Sequence, residues 1–130
     1  MVTGDRLELK RMIDKLCTSY TILLKGTDTI VGDISYRGYH ESKFLADIGF
    51  TINPEYRGNG YAHEALCLLS DILYDNNIKD FWITAFKDNY PSIKTIKKYG
   101  AEELTSDYEN IAIFECPTRK YIYKNKEVIR

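Results

Sequence analysis

Residues 53–66, NPEYRGNGYAHEAL, place an arginine and two glycines directly before a helical pattern. A helix N-terminus presents unpaired backbone N–H groups and the positive end of the helix dipole. Glycine lets a ligand oxygen approach the backbone closely, and Arg57 adds a fixed charge with forked donors. Together these features are typical of a pyrophosphate site. A tight strand-to-helix turn that merely uses glycine explains the same local sequence equally well.

Three phosphate-binding patterns compete for this turn. A P-loop requires G-x-x-x-x-G-K-[ST], and no lysine follows Gly60 where one is needed. A dinucleotide fingerprint would read Gly58-x-Gly60-x-x-His63, and a histidine is too bulky for the helix–strand packing that the third glycine serves. The third pattern, R-x-x-G-x-[GA], is matched by Arg57, Gly60 and Ala62. The turn therefore fits the third pattern best.

The elements around the turn predict an α/β protein with a mixed sheet. At the N-terminus, the spacing of Leu9, Met12, Ile13 and Leu16 predicts a short helix over residues 5–17, although Leu7 and Leu9 alternate with charge and would also suit a brief strand. A strong helical period runs from Gly60 to about Asn76. The remaining elements are strands at 19–25, 29–36, 44–52 and 80–87, a helix in DNYPSIKTIKKYG, and strands in AEELTSDYENIAIFE and TRKYIYKN.

Composition narrows the class of protein. A chain of 130 residues with 44% apolar and 28% charged residues suggests one globular domain, 1–130. A net charge of −1 gives no general attraction to nucleic acid. No apolar run is long enough to span a membrane, and the charged N-terminus does not resemble a secretory signal. Three widely spaced cysteines favour reduced thiols and a cytoplasmic location.

Two segments together resemble the GNAT superfamily of acyl-CoA N-acyltransferases. IGFTINPEYRGNGYAHEAL is similar to motif A, and N-x-x-S-x-x-x-I-x-K-x-G, residues 89–100, is similar to motif B. The resemblance covers about residues 20–116, with the strands and helices in the order read above. Ser92 and the IGF-x-I strand bring it closest to the branch that contains ribosomal-protein N-terminal acetyltransferases.

The resemblance implies a GNAT-like fold, a mixed and mainly antiparallel sheet flanked by helices, in which the strands at 44–52 and 80–87 splay apart. It implies acetyl-CoA as the acyl donor and no metal. Backbone groups near Ile52 and Asn53 would pair with the pantetheine arm, and Asn89 would contact that arm. The pyrophosphate would be held by the backbone N–H groups of Arg57, Gly58, Asn59, Gly60, Tyr61 and Ala62.

The implied reaction is direct attack of an amine on the acetyl carbonyl in a ternary complex, with a backbone N–H of the splayed strand stabilising the oxyanion. Many relatives carry a tyrosine, as the acid, where this chain has Ile96. Ser92 would lie near the thioester sulfur and either relay a proton or, alternatively, only cap its helix.

The general base has several candidates. Asp47 stands just before IGF, where the ribosomal-protein branch often has a glutamate, and could act through a bridging water or be no more than a solvated strand carboxylate. His40 and Glu41 are alternatives with titratable chemistry. His63 and Glu64 are expected on the exposed face of the long helix.

The chain departs from the family pattern at its start, where about 18 residues precede the first clear strand. We expect a shortened N-terminal region and a reduced wall at the acceptor site. A second subunit in a homodimer would complete that wall, or a large acceptor would bind an open cleft. The acceptor is an amine, either a small molecule or a protein N-terminus. The alternative function is a CoA-binding sensor or partner module with weak catalysis.

Overall fold

The computed structural model of the protein describes residues 2–12, 18–38, 45–104 and 109–118. In these ranges eight strands form one sheet in the order β1-β2-β3-β4-β5-β6-β8-β7, and every neighbouring pair is antiparallel except β5 and β6. The mixed, mainly antiparallel sheet predicted from the sequence is confirmed. The elements are β1 (Val2–Thr3), β2 (Leu7–Met12), β3 (Thr18–Leu24), β4 (Ile30–Gly38), β5 (Leu45–Ile52), a 3₁₀ turn (Pro54–Tyr56), α1 (Tyr61–Asp75), β6 (Asp80–Phe86), α2 (Tyr90–Tyr99), β7 (Glu102–Leu104) and β8 (Ile111–Pro117).

The predicted N-terminal helix is wrong where the structure describes it, because residues 7–12 form strand β2. Leu7 and Leu9 are both fully buried on one face of the sheet, and β2 pairs with β3 so that Leu9 lies opposite Ile22. The period-two alternation therefore prevails over the helical spacing, since pairing with β3 supplies the backbone hydrogen bonds. Residues 13–17 lie outside the described ranges.

The C-terminal strands also differ from the expectation. AEELTSDYENIAIFE contains two antiparallel strands, β7 and β8, in which Glu103 lies opposite Phe114. Beyond Thr118 the predicted strand TRKYIYKN lies outside the described residues. The predicted strands 19–25 and 29–36 correspond to β3 and β4, which form an antiparallel hairpin with Gly26 at a φ of +75° in its turn. The other predicted strands, 44–52 and 80–87, correspond to β5 and β6.

Both helices pack against the same face of the sheet. The apolar stripe of α1 faces the strands, and α2 joins the same core through Ile96, which is fully buried. Tyr99 at the end of α2 packs against Phe81 of β6, with ring centroids 5.4 Å apart. The largest fully buried side chains of this core are Phe81, Phe114, Leu7, Leu9, Ile22, Ile34, Leu66, Leu69, Leu73, Ile83, Ile96 and Val31. Neither of the two described helices is both long and apolar enough to cross a membrane.

Strands β5 and β6 pair over only half of their length. The parallel register runs from Leu45 beside Asp80 to Ile48 beside Ile83 and stops there, although β5 continues to Ile52 and β6 to Phe86. β5 remains paired with β4 and β6 with β8 beyond this point. The two central strands therefore diverge and leave an opening in the middle of the sheet.

Candidate active site

A continuous groove runs from the opening between β5 and β6 to the glycine turn before α1. A cavity of about 170 Å³ lies between the diverging strands, and a second cavity of about 740 Å³ extends past the end of β5 to the start of α1 and along α2. Phe50, Asn89 and Ser92 line both cavities, so the two adjoin at these residues. The larger one falls in the size range of small-molecule and cofactor sites.

The glycine turn forms one end of the groove. Gly58 and Gly60 have φ values of +82° and +76°, in the left-handed region that L-residues with a side chain adopt only with strain. The first backbone hydrogen bond of α1 is donated by the Glu64 amide to the Gly60 carbonyl, and no side chain caps this end of the helix. The amides of Tyr61 and Ala62 therefore have no acceptor within the helix. Tyr61, Ala62 and His63 line the larger cavity.

Arg57 and Asn59 lie at the same turn but differ in role. The Arg57 side chain lines the larger cavity and donates through Nε to the Ile52 carbonyl, 3.0 Å away. Asn59 shapes the turn itself, because its Nδ2 donates to the Tyr56 carbonyl at 3.0 Å and its own carbonyl accepts from Arg6 at 2.9 Å. Asn59 is not among the residues that line either described cavity.

Glu64 ties the first turn of α1 to the start of β2. Its carboxylate accepts hydrogen bonds from the backbone amides of Arg6 and Leu7, at 2.9 and 3.0 Å, and from Arg6 Nε at 2.8 Å. The Arg6 guanidinium also lies over the Tyr61 ring, 4.9 Å from its centroid. The expected exposed position of Glu64 is wrong, since its side chain is only 17% exposed. His63, also expected on an exposed face, is half-buried and lines the larger cavity.

The Glu64 contacts predict a pH-dependent contribution to stability. Burial acts to raise the Glu64 pKa, but the hydrogen bonds and charge of Arg6 outweigh burial and leave that pKa below its usual value. A carboxylate with a lowered folded-state pKa stabilises the fold above its unfolded pKa, about 4.3, and loses that contribution as pH falls through the folded value. We expect Glu64→Gln to lower the free energy of unfolding by about 1–2 kcal/mol at pH 7 and by less at pH 3.5, which lies below the unfolded pKa. Urea denaturation at both pH values measures this.

The control for this measurement is Glu55→Gln, which changes an exposed carboxylate on the neighbouring 3₁₀ turn. It should leave the free energy of unfolding within about 0.5 kcal/mol of the wild type at both pH values. A Glu64→Gln deficit that is equally large at pH 7 and pH 3.5 would contradict an ionic role for Glu64.

The outer half of β5 directs alternate backbone groups into the groove. The Asn53 amide donates to the Val31 carbonyl at 2.8 Å, so Asn53 faces β4 and not the opening. Because successive backbone groups of a strand point to opposite sides, those of Ile52 and Phe50 point toward the opening. Of the predicted pair Ile52 and Asn53, only Ile52 directs its backbone groups into the groove, and Phe50 does so as well. Phe50 could have been identified from the sequence, because it lies two residues before Ile52 in the same strand and its backbone groups therefore point to the same side.

The start of α2 brings the two motif B residues into the groove. Asn89 caps the helix by accepting from the Ser92 amide through Oδ1, at 3.4 Å. The helix cap is therefore Asn89, and the alternative of Ser92 as the cap is wrong. The half-buried Ser92 stands in the first turn of α2, where both cavities meet. Ile96 lies one turn further on and forms part of the smaller cavity.

Of the candidate bases, Asp47 is the one whose backbone position the structure describes, and it lies in β5. Its backbone lies between Arg37 of β4 and Trp82 of β6, within the paired half of β5. His40 and Glu41 lie outside the described residues. Within the described ranges, no group of three His, Cys, Asp or Glu residues is arranged to hold a metal ion.

A model of the acetyltransferase (GNAT) domain matches residues 5–102. The chain belongs to the GNAT acetyltransferase family. Among curated proteins, it is 29% identical over 82 residues to the Bacillus subtilis (strain 168) protein YnaD, named as an uncharacterized N-acetyltransferase. That match covers 62% of this chain and 48% of YnaD, so the chain spans about half the length of this relative.

Solved structures share the GNAT fold. A Vibrio cholerae protein named as a putative ribosomal-protein-serine acetyltransferase superposes with a TM-score of 0.66 at 20% identity, over 78% of this chain and 64% of that one. RimL, a ribosomal L7/L12 alpha-N-protein acetyltransferase in complex with coenzyme A, superposes with a TM-score of 0.69 at 17% identity, over 78% and 62%. The ribosomal-protein branch is therefore among the structural neighbours of this GNAT chain.

Proposed function

We propose that the protein is an N-acetyltransferase that moves an acetyl group from acetyl-CoA to an amine. The observation that carries this proposal is the single groove that joins the uncapped N-terminus of α1 to the opening between β5 and β6. Acetyl-CoA carries a pyrophosphate and a thioester at opposite ends of an extended pantetheine arm. The groove likewise has a helix N-terminus at one end and the opening between β5 and β6 at the other. Membership of the GNAT family and the coenzyme A bound by RimL support this cofactor.

The cofactor would be held mainly by backbone groups. The amides of residues 58–62 and the Arg57 guanidinium would bind the pyrophosphate, because the helix end supplies unpaired donors and positive charge. The pantetheine arm would pair with the Ile52 backbone as an added strand, and Asn89 Nδ2 would donate to it, since Asn89 Oδ1 is turned to the helix cap. This arrangement brings the thioester to the smaller cavity, beside Ser92.

The transfer would proceed by direct attack. The amine nitrogen forms a bond to the acetyl carbonyl carbon, the carbon–sulfur bond breaks, and coenzyme A leaves as a thiolate that must gain a proton. The Phe50 N–H, the first amide of β5 directed into the opening beyond its pairing with β6, would stabilise the oxyanion. Ser92 would hydrogen-bond the sulfur or relay the proton. Asp47 would accept the proton of the incoming ammonium through a bridging water.

The names of two structural neighbours point to a class of acceptor. The Vibrio cholerae neighbour is named for acting on ribosomal-protein serine, and RimL is named an alpha-N-protein acetyltransferase. We therefore propose a primary amine as the acceptor, with peptides that begin with serine as the first compounds to assay, beside lysine, polyamines and small amines.

The proposed function is tested by binding and turnover together. A ligand at 100 times its Kd stabilises the native state by about 2.7 kcal/mol, so acetyl-CoA should raise the melting temperature by several degrees. Adding an acceptor amine should then release free thiol. A thermal shift without thiol release from any amine would support the alternative, a CoA-binding module. The absence of a thermal shift would overturn both.

Single substitutions test the two proton-transfer residues. We expect Ser92→Ala and Asp47→Asn each to lower kcat by about 10-fold or more, with Asp47→Asn also removing the dependence of kcat/KM on a basic group. Ser92→Thr keeps the hydroxyl and should recover most of the rate. Thiol release measured from pH 6 to 9 gives these values. Unchanged rates and pH profiles in both variants would remove Ser92 and Asp47 from the mechanism.

A further inference from the structure

Gly49 is the first residue of β5 beyond its pairing with β6. The register of the two strands ends at Ile48 and Ile83, so Gly49 and Thr84 stand across from each other where the strands begin to diverge. Both residues are exposed and both line the smaller cavity. By alternation they belong to the sheet face opposite the one that carries α1 and α2. The opening therefore reaches solvent on the face away from the helices.

The fold gives no reason for a glycine at this position. Gly49 does not have a positive φ, and a Cβ built on it would meet only Ser35 Oγ, at 3.8 Å, an ordinary contact. Glycine inside a strand is destabilising by roughly 0.5–1 kcal/mol relative to alanine. Each other glycine whose surroundings the structure describes has a positive φ or a crowded Cβ position: Gly26, Gly58, Gly60 and Gly100 have positive φ, and Gly4 and Gly32 are crowded.

In an acetyltransferase the cofactor and the acceptor amine must both reach the place where the thioester reacts. In the proposed function the cofactor fills the groove on the helix side, which leaves the opposite face of the sheet for the incoming amine. A side chain at position 49 would project into that approach, because it would leave the strand on the exposed face beside Thr84. The missing side chain is thus explained by passage of a substrate.

We propose that Gly49 and Thr84 bound the passage through which the amine acceptor reaches the thioester, and that the absent side chain at position 49 sets its width. The inference rests on the proposed function and adds the residue that limits acceptor size. Ser35, Thr51 and Thr84 lie around Gly49 on this sheet face, and the Ser35 Oγ is 3.8 Å from the position of a Cβ on Gly49, so the passage suits a primary amine at the end of a slender, polar chain. Amines branched beside the nitrogen are the first that a narrower passage would exclude.

A series of substitutions measures the passage. Gly49→Ala, Gly49→Val and Gly49→Leu should lower kcat/KM for the acceptor progressively, by roughly 10-fold for valine and more for leucine, with branched amines affected first. The Kd for coenzyme A should stay within about twofold of the wild type. The control is Thr21→Leu, which enlarges a side chain on the same sheet face two strands away and should leave kcat/KM unchanged.

A labelling experiment tests whether position 49 faces the acceptor side and not the cofactor, whichever amine is the acceptor. In Gly49→Cys the new thiol should react with a maleimide at the same rate with and without coenzyme A, and the labelled protein should still bind coenzyme A. In Ala62→Cys, at the cofactor end of the groove, coenzyme A should slow labelling by at least about 10-fold. The wild type gives the background from the native cysteines.

The outcomes separate this inference from the proposed function. A wild-type protein that neither binds acetyl-CoA nor releases thiol overturns the proposed function. A wild type that binds coenzyme A, with Gly49→Cys protected by it, overturns the inference, because position 49 would then face the cofactor. A wild type that acetylates amines while Gly49→Leu retains full kcat/KM for each of them overturns it as well.

Discussion

Replacing Gly60 with leucine should weaken coenzyme A binding by about 100-fold and lower the free energy of unfolding by only about 1–2 kcal/mol. The stability cost comes from a φ of +76°, which an L-residue with a side chain adopts at roughly that expense. Room for the new side chain is not the problem, since a Cβ on Gly60 would meet only Arg6 Nη2 at 3.5 Å. The loss of binding comes from the side chain standing where phosphate oxygens approach the amides of Tyr61 and Ala62, each charged hydrogen bond being worth about 1.5–3 kcal/mol.

The matched control is Gly26→Leu. Gly26 has nearly the same φ, +75°, and a Cβ there would meet no atom within 4 Å, but it lies in the hairpin turn between β3 and β4. It should lose the same stability and keep the Kd for coenzyme A within about twofold. Calorimetric titration and urea denaturation of both variants give the comparison. If Gly60→Leu binds coenzyme A as well as Gly26→Leu does, the glycine turn only provides the backbone conformation that starts α1 and does not bind the cofactor.

The second large effect is expected at Gly32, where alanine should lower the free energy of unfolding by roughly 2–3 kcal/mol. Gly32 is buried in β4 opposite Ile52, and a Cβ on it would collide with the Thr51 carbonyl oxygen and meet the Ile52 Cα at 3.0 Å. Both contacts are backbone atoms that cannot rotate away, so β4 and β5 must separate. Because Thr51 and Ile52 also line the groove, coenzyme A should bind more weakly.

Gly49→Ala provides the comparison for Gly32→Ala, since it adds the same methyl group to β5, where the space is open. Its free energy of unfolding should equal that of the wild type or exceed it by up to about 1 kcal/mol, because alanine restricts the unfolded chain more than glycine does. Urea denaturation of the three proteins measures both differences. Equal free energies of unfolding for Gly32→Ala and Gly49→Ala would contradict this prediction, because β4 and β5 would then accept the new methyl group at position 32 without loss of stability.

The sequence predicted the local elements of the site well. The helical stripe of α1, the glycines before it and the Asn89-to-Gly100 helix each depend on neighbours within a few residues, and all three are present. The N-terminal segment was predicted as a helix because Leu9 and Met12 fit a helical period as well as Leu7 and Leu9 fit a strand. A pattern that suits both structures is decided by what lies beside it, and here β3 lies beside it.

The sequence by itself determined the family, the order of most elements and the position of the turn that would hold a pyrophosphate, because these depend on residue types at short, fixed spacings. Only the tertiary structure decided which backbone groups of β5 face the opening, that Glu64 binds Arg6, and that Gly32 is crowded while Gly49 is open. Each of these depends on atoms brought together from distant parts of the chain. No local pattern encodes the distance between two strands. The neighbouring strand therefore leaves no room for a side chain at Gly32, whereas the space at Gly49 is open.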